Sequence, residues 1–421
     1  MEHLEKLPEG MTKEKSNRSK QNFQKRLALM SLSSIPLIMT LGNSMLFPVL
    51  PVMERKLNIS SFQSSLIITV YSVVAIFLIP IAGFLSDHIG RKKVIIPSLL
   101  ISGIGGIISG WASWQINEGY WFILVGRALQ GVGAAGAAPI VMPLVGDLFK
   151  SEDEVSSSLG LIETSNTLGK VLSPILGSFL AGFIWFMPFF AFPFFCAISI
   201  LLMLFLVKTP KSKEDPVRFN IFFQKVKNIF INNRRWLCAI FLIGAILMFV
   251  LFGVLFYLSE VLEKNYEIVN VRKGLLLAVP LGALCLSSFI TGKNIKENKV
   301  LMKWITFGGT LLLGTSIAFL SFSRALWIII SMFFLSGIGI GAVLPCLDAL
   351  ITEGIEKDQR GTITSIYSSM RFVGVAAGPP AIAILMRNAE QTLFFLLSSL
   401  SILAALATFL AIKPENERAG K

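Results

Sequence analysis

Apolar stretches long enough to cross a bilayer recur about twelve times in this chain of 421 residues, and no other feature restricts its fold as much. A helix rises about 1.5 Å per residue, so about 20 apolar residues span the hydrocarbon layer. The runs fall near 27–53, 63–87, 93–113, 120–147, 155–185, 187–208, 235–260, 272–292, 301–320, 325–351, 361–386 and 392–412. With 54% hydrophobic and 15% charged residues, the apolar content exceeds what a soluble core can hide. The expectation is an all-α membrane protein of twelve transmembrane helices.

The formal charge of +13 could suggest a nucleic-acid partner, but its placement argues against one. With a cytoplasmic N-terminus, the segments on that side hold about 28 of the 38 Lys and Arg and the outer loops about 7, with only Arg127, Lys170 and Arg371 inside spans. This positive-inside bias predicts a multi-pass plasma-membrane protein with both termini in the cytoplasm. The basic tail before the first run lacks a small-residue cleavage site, so that run is expected to be retained as a span.

The four cysteines fall within predicted spans, and His3 and His88 are the only histidines. Neither a disulfide framework nor zinc spacing is present, and no Gly-rich loop of the Walker type could hold a nucleotide for hydrolysis. Neither an enzyme nor a cofactor is expected, and any pumping must draw on an ion gradient.

Around 208–235 the sequence turns polar and basic, dividing the chain into a tail (1–26), a first bundle (27–208), a linker (209–234), a second bundle (235–412) and a short tail (413–421). In the linker Phe219, Phe222, Phe223, Val226 and Phe230 recur at helical spacing, as in a short helix lying on the inner membrane surface. The halves also repeat. Gly131, Gly133 and Pro139 return 206 residues on as Gly337, Gly339 and Pro345, and Gly169 and Pro174 return 205 residues on as Gly374 and Pro379. Two pseudo-symmetric six-helix bundles follow, with a cavity between them near the bilayer midplane.

Charges inside spans are costly, at least about 2.5 kcal/mol each, and therefore informative. The fifth run places Glu163 and Lys170 on one helical face about 10 Å apart, with Asn166 and Thr167 between them. They are either a packing ion pair or a site where Glu163 exchanges a proton while Lys170 tunes it or meets an anion. Asp348 and Arg371, in the tenth and eleventh runs, pose the same alternative. Arg127 lies in the fourth run near Gln130, and Asn43 is the polar group of the first run, which carries no acid; Asn43, Asn166, Lys170 and Arg371 are the residues expected to line the substrate cavity. Gly169, Ser173 and Gly177 recur every four residues and groove the fifth helix, where Pro174 permits a kink. That face is expected to seat against a helix of the other half.

The turn between the second and third runs reads GFLSDHIGRKKV, Gly83 to Val94. Topogenic charge explains its bases but not the spacing of Gly83, Asp87, Gly90 and Arg91. Asp87 can accept hydrogen bonds from a helix N-terminus, and Arg91 can bridge to Asp147 or Glu152. These contacts would latch the halves on the cytoplasmic side, giving an outward-open state. The second half has Lys293 where Asp87 would repeat, so the latch is expected on one side only.

This turn resembles the loop between spans two and three of the major facilitator superfamily, G-x-L-[SA]-D-R-x-G-R-[KR], with His88 where an arginine is usual. RALQGVGAAGAAP from Arg127 resembles the superfamily's R-x-x-x-G-x-G-A-A type motif, and GKVLSPILG from Gly169 resembles the antiporter motif G-x-x-x-G-P-x-x-G-G, with Ser173 and Ser178 replacing glycines. The resemblance implies the major facilitator fold, a drug:proton antiporter branch similar to multidrug and siderophore exporters of Gram-positive bacilli, and a proton-coupling role for Arg127. It also points to the helix start near Gly361 as the partner of Asp87. The expected partners are a small-molecule substrate, protons and the lipid bilayer, with the chain a monomer, and Lys170 and Arg371 could serve an anionic catecholate. Proton-driven uptake, lipid-precursor flipping and a non-transporting membrane sensor are the rival readings.

Overall fold

The computed structural model describes residues 9–115, 119–149, 152–207, 219–295, 298–355, 357–388 and 390–412. The chain runs through α1 (Glu9–Ser44), a 3-10 turn (Phe47–Val49), α2 (Leu50–Leu57), α3 (Ser61–Ile89), α4 (Arg91–Gln115), α5 (Tyr120–Leu148), α6 (Glu152–Phe183) and α7 (Met187–Leu206). The second half follows as α8 (Phe219–Lys264), α9 (Asn270–Ile295), α10 (Lys299–Phe319), α11 (Leu326–Gly354), α12 (Lys357–Asn388) and α13 (Glu390–Ala411). Among the described residues there is no strand, and eleven helical stretches are long and apolar enough to cross a membrane. The twelfth expected span, α6, carries the polar stripe of Glu163 to Lys170, and it packs between α1 and α9.

Local sequence sets the ends of these helices. Ser60 and Gln63 form a reciprocal capping box that starts α3. Gly90 ends it at φ 101°, where side chains are strained, although a Cβ there would meet no atom within 4 Å. Conformation, not space, selects glycine at this turn. The α-helical ladder of the first span is interrupted after Ser44, where Pro48 and Pro51 cannot donate to it, and α2 follows the 3-10 turn. Phe219 onward is continuous with the seventh span in the 46-residue α8. The linker stretch 208–218 and both chain ends lie outside the described residues, as do the side chains of the linker aromatics.

The repeat is a packing repeat. In the first half α4 packs on α5 and α7, α3 on α5, and α1 on α6 and α7; in the second, α10 packs on α11 and α13, α9 on α11, and α8 on α12 and α13. The repeated glycines sit at equivalent crossings: a Cβ on Gly133 would meet the Ser98 carbonyl at 2.2 Å, and one on Gly339 the Gly309 carbonyl at 2.5 Å. Both positions admit only a bare backbone. The halves meet where α3 runs along α12 and α6 along α9, the pseudo-symmetric counterpart.

This seam is tied unevenly along its length. Midway, Thr69 Oγ1 donates to the Ala376 carbonyl at 2.8 Å, and Tyr71 packs on Phe372. At the end remote from Gly90, the 3-10 turn and α2 of the first half press on α8 and α9 of the second. There Phe47 meets Phe252 edge-on at 5.5 Å, within a buried apolar cluster that includes Leu50, Met53, Leu255 and Leu258. The expectation that only three bases lie within spans is corrected here: Lys273 in α9 is 1% exposed and Lys303 in α10 is also buried.

Candidate functional site

The charged residues of the fifth, tenth and eleventh spans come together between the halves. Glu163 and Lys170 on α6 act electrostatically on Asp348 of α11 and on Tyr367 and Arg371 of α12. This follows from the packing, because α6 and α12 each lie beside the first span of their own half and border the seam.

Within the cluster the pairing is loose. Two helical turns separate Glu163 from Lys170, and Glu163 instead accepts from Asn166 Nδ2 at 3.2 and 3.3 Å. Asn166 Oδ1 in turn accepts from Thr40 Oγ1 of α1 at 2.5 Å. Asp348 and Arg371 approach to 3.9 Å, beyond hydrogen-bond length, and Arg371 lies over the Tyr367 ring at 5.7 Å. Lys170 is 7% exposed, and its Nζ has no hydrogen-bond partner among the described residues; the Tyr367 hydroxyl is likewise unpartnered. Burying an ammonium in this way costs several kcal/mol that packing does not repay. The cluster therefore offers an unengaged ammonium, a loosely held guanidinium, two carboxyl groups and a phenol.

Arg127 is placed differently. It is fully buried, and it donates from Nε to the Ile67 carbonyl at 2.8 Å, from one terminal nitrogen to Asn43 Oδ1 at 2.6 Å and from the other to Gln130 Oε1. Its guanidinium carbon lies 4.6 Å from the Tyr71 ring centroid. It ties α5 to α1 and α3, and Asn43, expected in the substrate cavity, is 5% exposed and taken up by this tie.

The glycine groove of α6 faces its own half, which corrects the expectation of a partner across the seam. A Cβ on Gly169 would meet the Leu37 carbonyl at 2.9 Å and one on Gly177 the Met45 carbonyl at 2.1 Å, both in the first span, and Ser173 Oγ reaches the Thr40 carbonyl at 3.5 Å. The other half does approach α6, on a neighbouring face. There a Cβ on Gly274 of α9 would meet the Pro174 carbonyl at 2.5 Å.

At the turn, Arg91 pairs with Asp87 and donates to Asp147 Oδ2 at 3.2 Å and Ser86 Oγ at 2.7 Å, all three partners among the described residues being in the first half. The Arg91 bridge to Asp147 forms as expected, but within one half, so it stiffens the α3–α4–α5 corner instead of joining the halves. Gly83 faces Ser365 of α12, with a Cβ-to-Oγ distance of 3.3 Å. The side chains of Glu152 and of the residues around Gly361 lie outside the described set.

Sequence reasoning missed the charged seal at the far end. The first span runs over Phe23–Leu57 and so carries an acid, Glu54, which shares Lys264 of the second half with Glu260, while Glu263 and Lys273 pair with each other at the same end. A signal existed: Glu54 and Glu260 are 206 residues apart, the same offset as the glycines.

The Major Facilitator Superfamily description matches residues 32–379 and 302–421. The bacillibactin exporter of Bacillus subtilis (strain 168) is 56% identical over 394 residues, covering 93% of this chain and 98% of that protein. Multidrug resistance protein MdtG of Escherichia fergusonii is 26% identical, covering 86% and 88%. Among solved structures, the human organic anion transporter MFSD10 (TETRAN) superposes with a TM-score of 0.72 at 18% identity, covering 91% of this chain and 99% of that one, a likeness of fold.

Proposed function

This chain belongs to the Major Facilitator Superfamily, and from that premise we propose that it is a proton-coupled exporter of bacillibactin or an amphipathic anion of similar character. It is a multi-pass membrane transporter of small molecules rather than an enzyme. The observation that carries the substrate class is the Lys170 ammonium, buried without a partner beside a guanidinium that its own carboxylate holds only loosely. An anionic oxygen placed between Lys170 and Arg371 would complete both.

The charge distribution supports both termini in the cytoplasm of the plasma membrane, with the Gly90 end facing the cytoplasm and the Glu54 end facing outward. Substrate enters from the Gly90 end, and rocking of the two bundles about the α3–α12 and α6–α9 seams changes its access. Glu163 carries the proton, with Asp348 as the second carboxyl of the site, Arg127 as the tie that holds the first bundle rigid, and one chain as the working unit. A proton can drive the cycle only through its different affinity for the two states, which a carboxyl exposed alternately to each side supplies.

The test uses purified protein in proteoliposomes with an imposed proton gradient. The gradient should drive bacillibactin across the membrane, and Glu163→Gln should abolish that movement while leaving substrate binding intact. Bacillibactin that does not move with the gradient, or a Glu163→Gln protein that transports normally, would overturn the proposal.

A further inference from the structure

The seal at the Glu54 end carries three acids and three bases that no transport step above uses. Glu54 of α2 accepts from Ser64 Oγ at 2.7 Å, from Ser61 Oγ at 3.0 Å and from Lys264 Nζ at 2.7 Å. Lys264 also pairs with Glu260 on its own helix. Glu263 accepts from Lys273 Nζ at 2.7 Å and pairs with Arg55, and Lys273 donates in addition to the Pro48 carbonyl at 2.9 Å. The contacts of Lys264 with Glu54, Arg55 with Glu263 and Lys273 with Pro48 all join the first half to the second.

Two details single out Glu54 and Glu260. They occupy equivalent positions in the two halves, so closing the seal brings like charges together about the pseudo-twofold axis. Both are directed at one ammonium and lie close enough to hydrogen-bond to each other when one of them holds a proton. Glu260 is 2% exposed, and its second oxygen, Oε1, is buried without a hydrogen-bond partner among the described residues. Two carboxylates sharing a site in a poorly polarisable interior do not both stay ionised. Arg55 does not relieve them: it faces Glu263, and its side chain is 59% exposed, so solvent screens it. Lys273 is engaged by Glu263 and Pro48, and Lys56 and Arg272 are exposed.

We propose that Glu54 and Glu260 form a proton-binding site in the seal between the two halves, occupied when the seal closes and emptied when it opens. With the halves apart, each carboxyl is hydrated and ionised at neutral pH; with the halves together, one proton is held between the two and the Lys264 ammonium balances the remaining charge. Closing therefore takes up one proton, so acid on this side favours the closed seal and alkali opens it. The ligand is a proton from the adjacent solution, and Lys264, whose side chain is 44% exposed, marks the path to water.

Spin labels at Gln115→Cys and Trp327→Cys, exposed positions on opposite halves at this end, report the separation in full-length protein reconstituted in lipid nanodiscs, with Cys238 and Cys285 replaced by serine. The ratio of short to long distances should rise with acidity between about pH 9 and about pH 6, by up to about tenfold per pH unit over the window in which one proton binds. Glu260→Gln, which supplies the proton's hydrogen bond permanently, should hold the short distance across that range and remove the slope. A distance distribution in the parent protein that ignores pH, an opening on acidification, or a Glu260→Gln protein that keeps the parent slope would each overturn the proposal. The parent titration needs no substitution in the seal, and none of these readouts involves substrate, so they are independent of the export assay.

Discussion

Ser259 Oγ donates to the Phe47 carbonyl at 2.6 Å across the seam between the halves, at a carbonyl to which Pro51 cannot donate. In an unbroken helix the amide four residues on would fill that position. The Phe47 carbonyl keeps a 3-10 bond from the Leu50 N–H, and the α-helical donor it lacks is replaced by a hydroxyl of the second half at its other lone pair, both groups being buried. Removing the hydroxyl by Ser259→Ala should cost the closed seal about 1 kcal/mol, a shift of roughly fivefold toward the open state. Modification of a cysteine introduced at Met53 by a membrane-impermeant thiol reagent should accelerate by that factor, and an unchanged rate would show that the bond contributes nothing to closure.

Lys170 is predicted to separate stability from function. Its ammonium is buried without a partner, so Lys170→Met removes a cost without breaking a bond. The variant should melt at a temperature equal to or above the parent's, while its affinity for bacillibactin, measured by calorimetry, falls at least about tenfold, the loss of one charge-assisted contact. A lowered melting temperature with unchanged affinity would make Lys170 a packing residue.

Arg127 should behave in the opposite way. Arg127→Met leaves Asn43, Gln130 and the Ile67 carbonyl buried without their donor, and at about 1–3 kcal/mol for each such group the loss should reach at least about 3 kcal/mol. Thermal unfolding followed by tryptophan fluorescence measures it. A variant as stable as the parent that no longer moves protons would make Arg127 part of the coupling machinery instead of a tie.

Two glycines provide a matched contrast. At Gly177 a Cβ would meet the Met45 carbonyl at 2.1 Å, while at Gly146 it would meet nothing within 4 Å. Gly177→Ala should therefore force α6 away from the first span and lower the melting temperature sharply. Gly146→Ala should raise it slightly, since alanine stabilises a helix interior by roughly 0.5–1 kcal/mol over glycine. Equal effects at both positions would show that helix propensity, not the close approach, decides the outcome.

Much of the architecture was legible because hydrophobicity and glycine spacing are local or strictly periodic signals. The apolar runs located the spans, and the 206-residue offset of Gly133 and Gly339 announced equivalent helix crossings, which the packing then displayed. Glu163, Lys170, Asp348 and Arg371 were recognisable as costly charges inside apolar helices, and they do assemble in one cluster. Direction was harder to read. The glycine groove of α6 was expected to face the other half and faces α1, because a four-residue period fixes a helical face but not the neighbour it meets. The Glu54 seal was overlooked for a related reason: its acids and bases sit at span ends, where a sequence cannot separate a solvated charge from a buried one.

The sequence by itself determined the membrane location, the twelve apolar segments, the duplication and the turn at Gly90, since bilayer thickness, backbone conformation and repeat spacing act along the chain. Which charges find partners was decided only by the tertiary structure. Arg127 is satisfied by three helices, Lys170 is left open between two halves, and Glu54 meets Glu260 at one ammonium. The physical reason is that the energy of a charge in a membrane protein depends on what the neighbouring helices bring to within about 4 Å, a distance that no spacing along a single helix specifies.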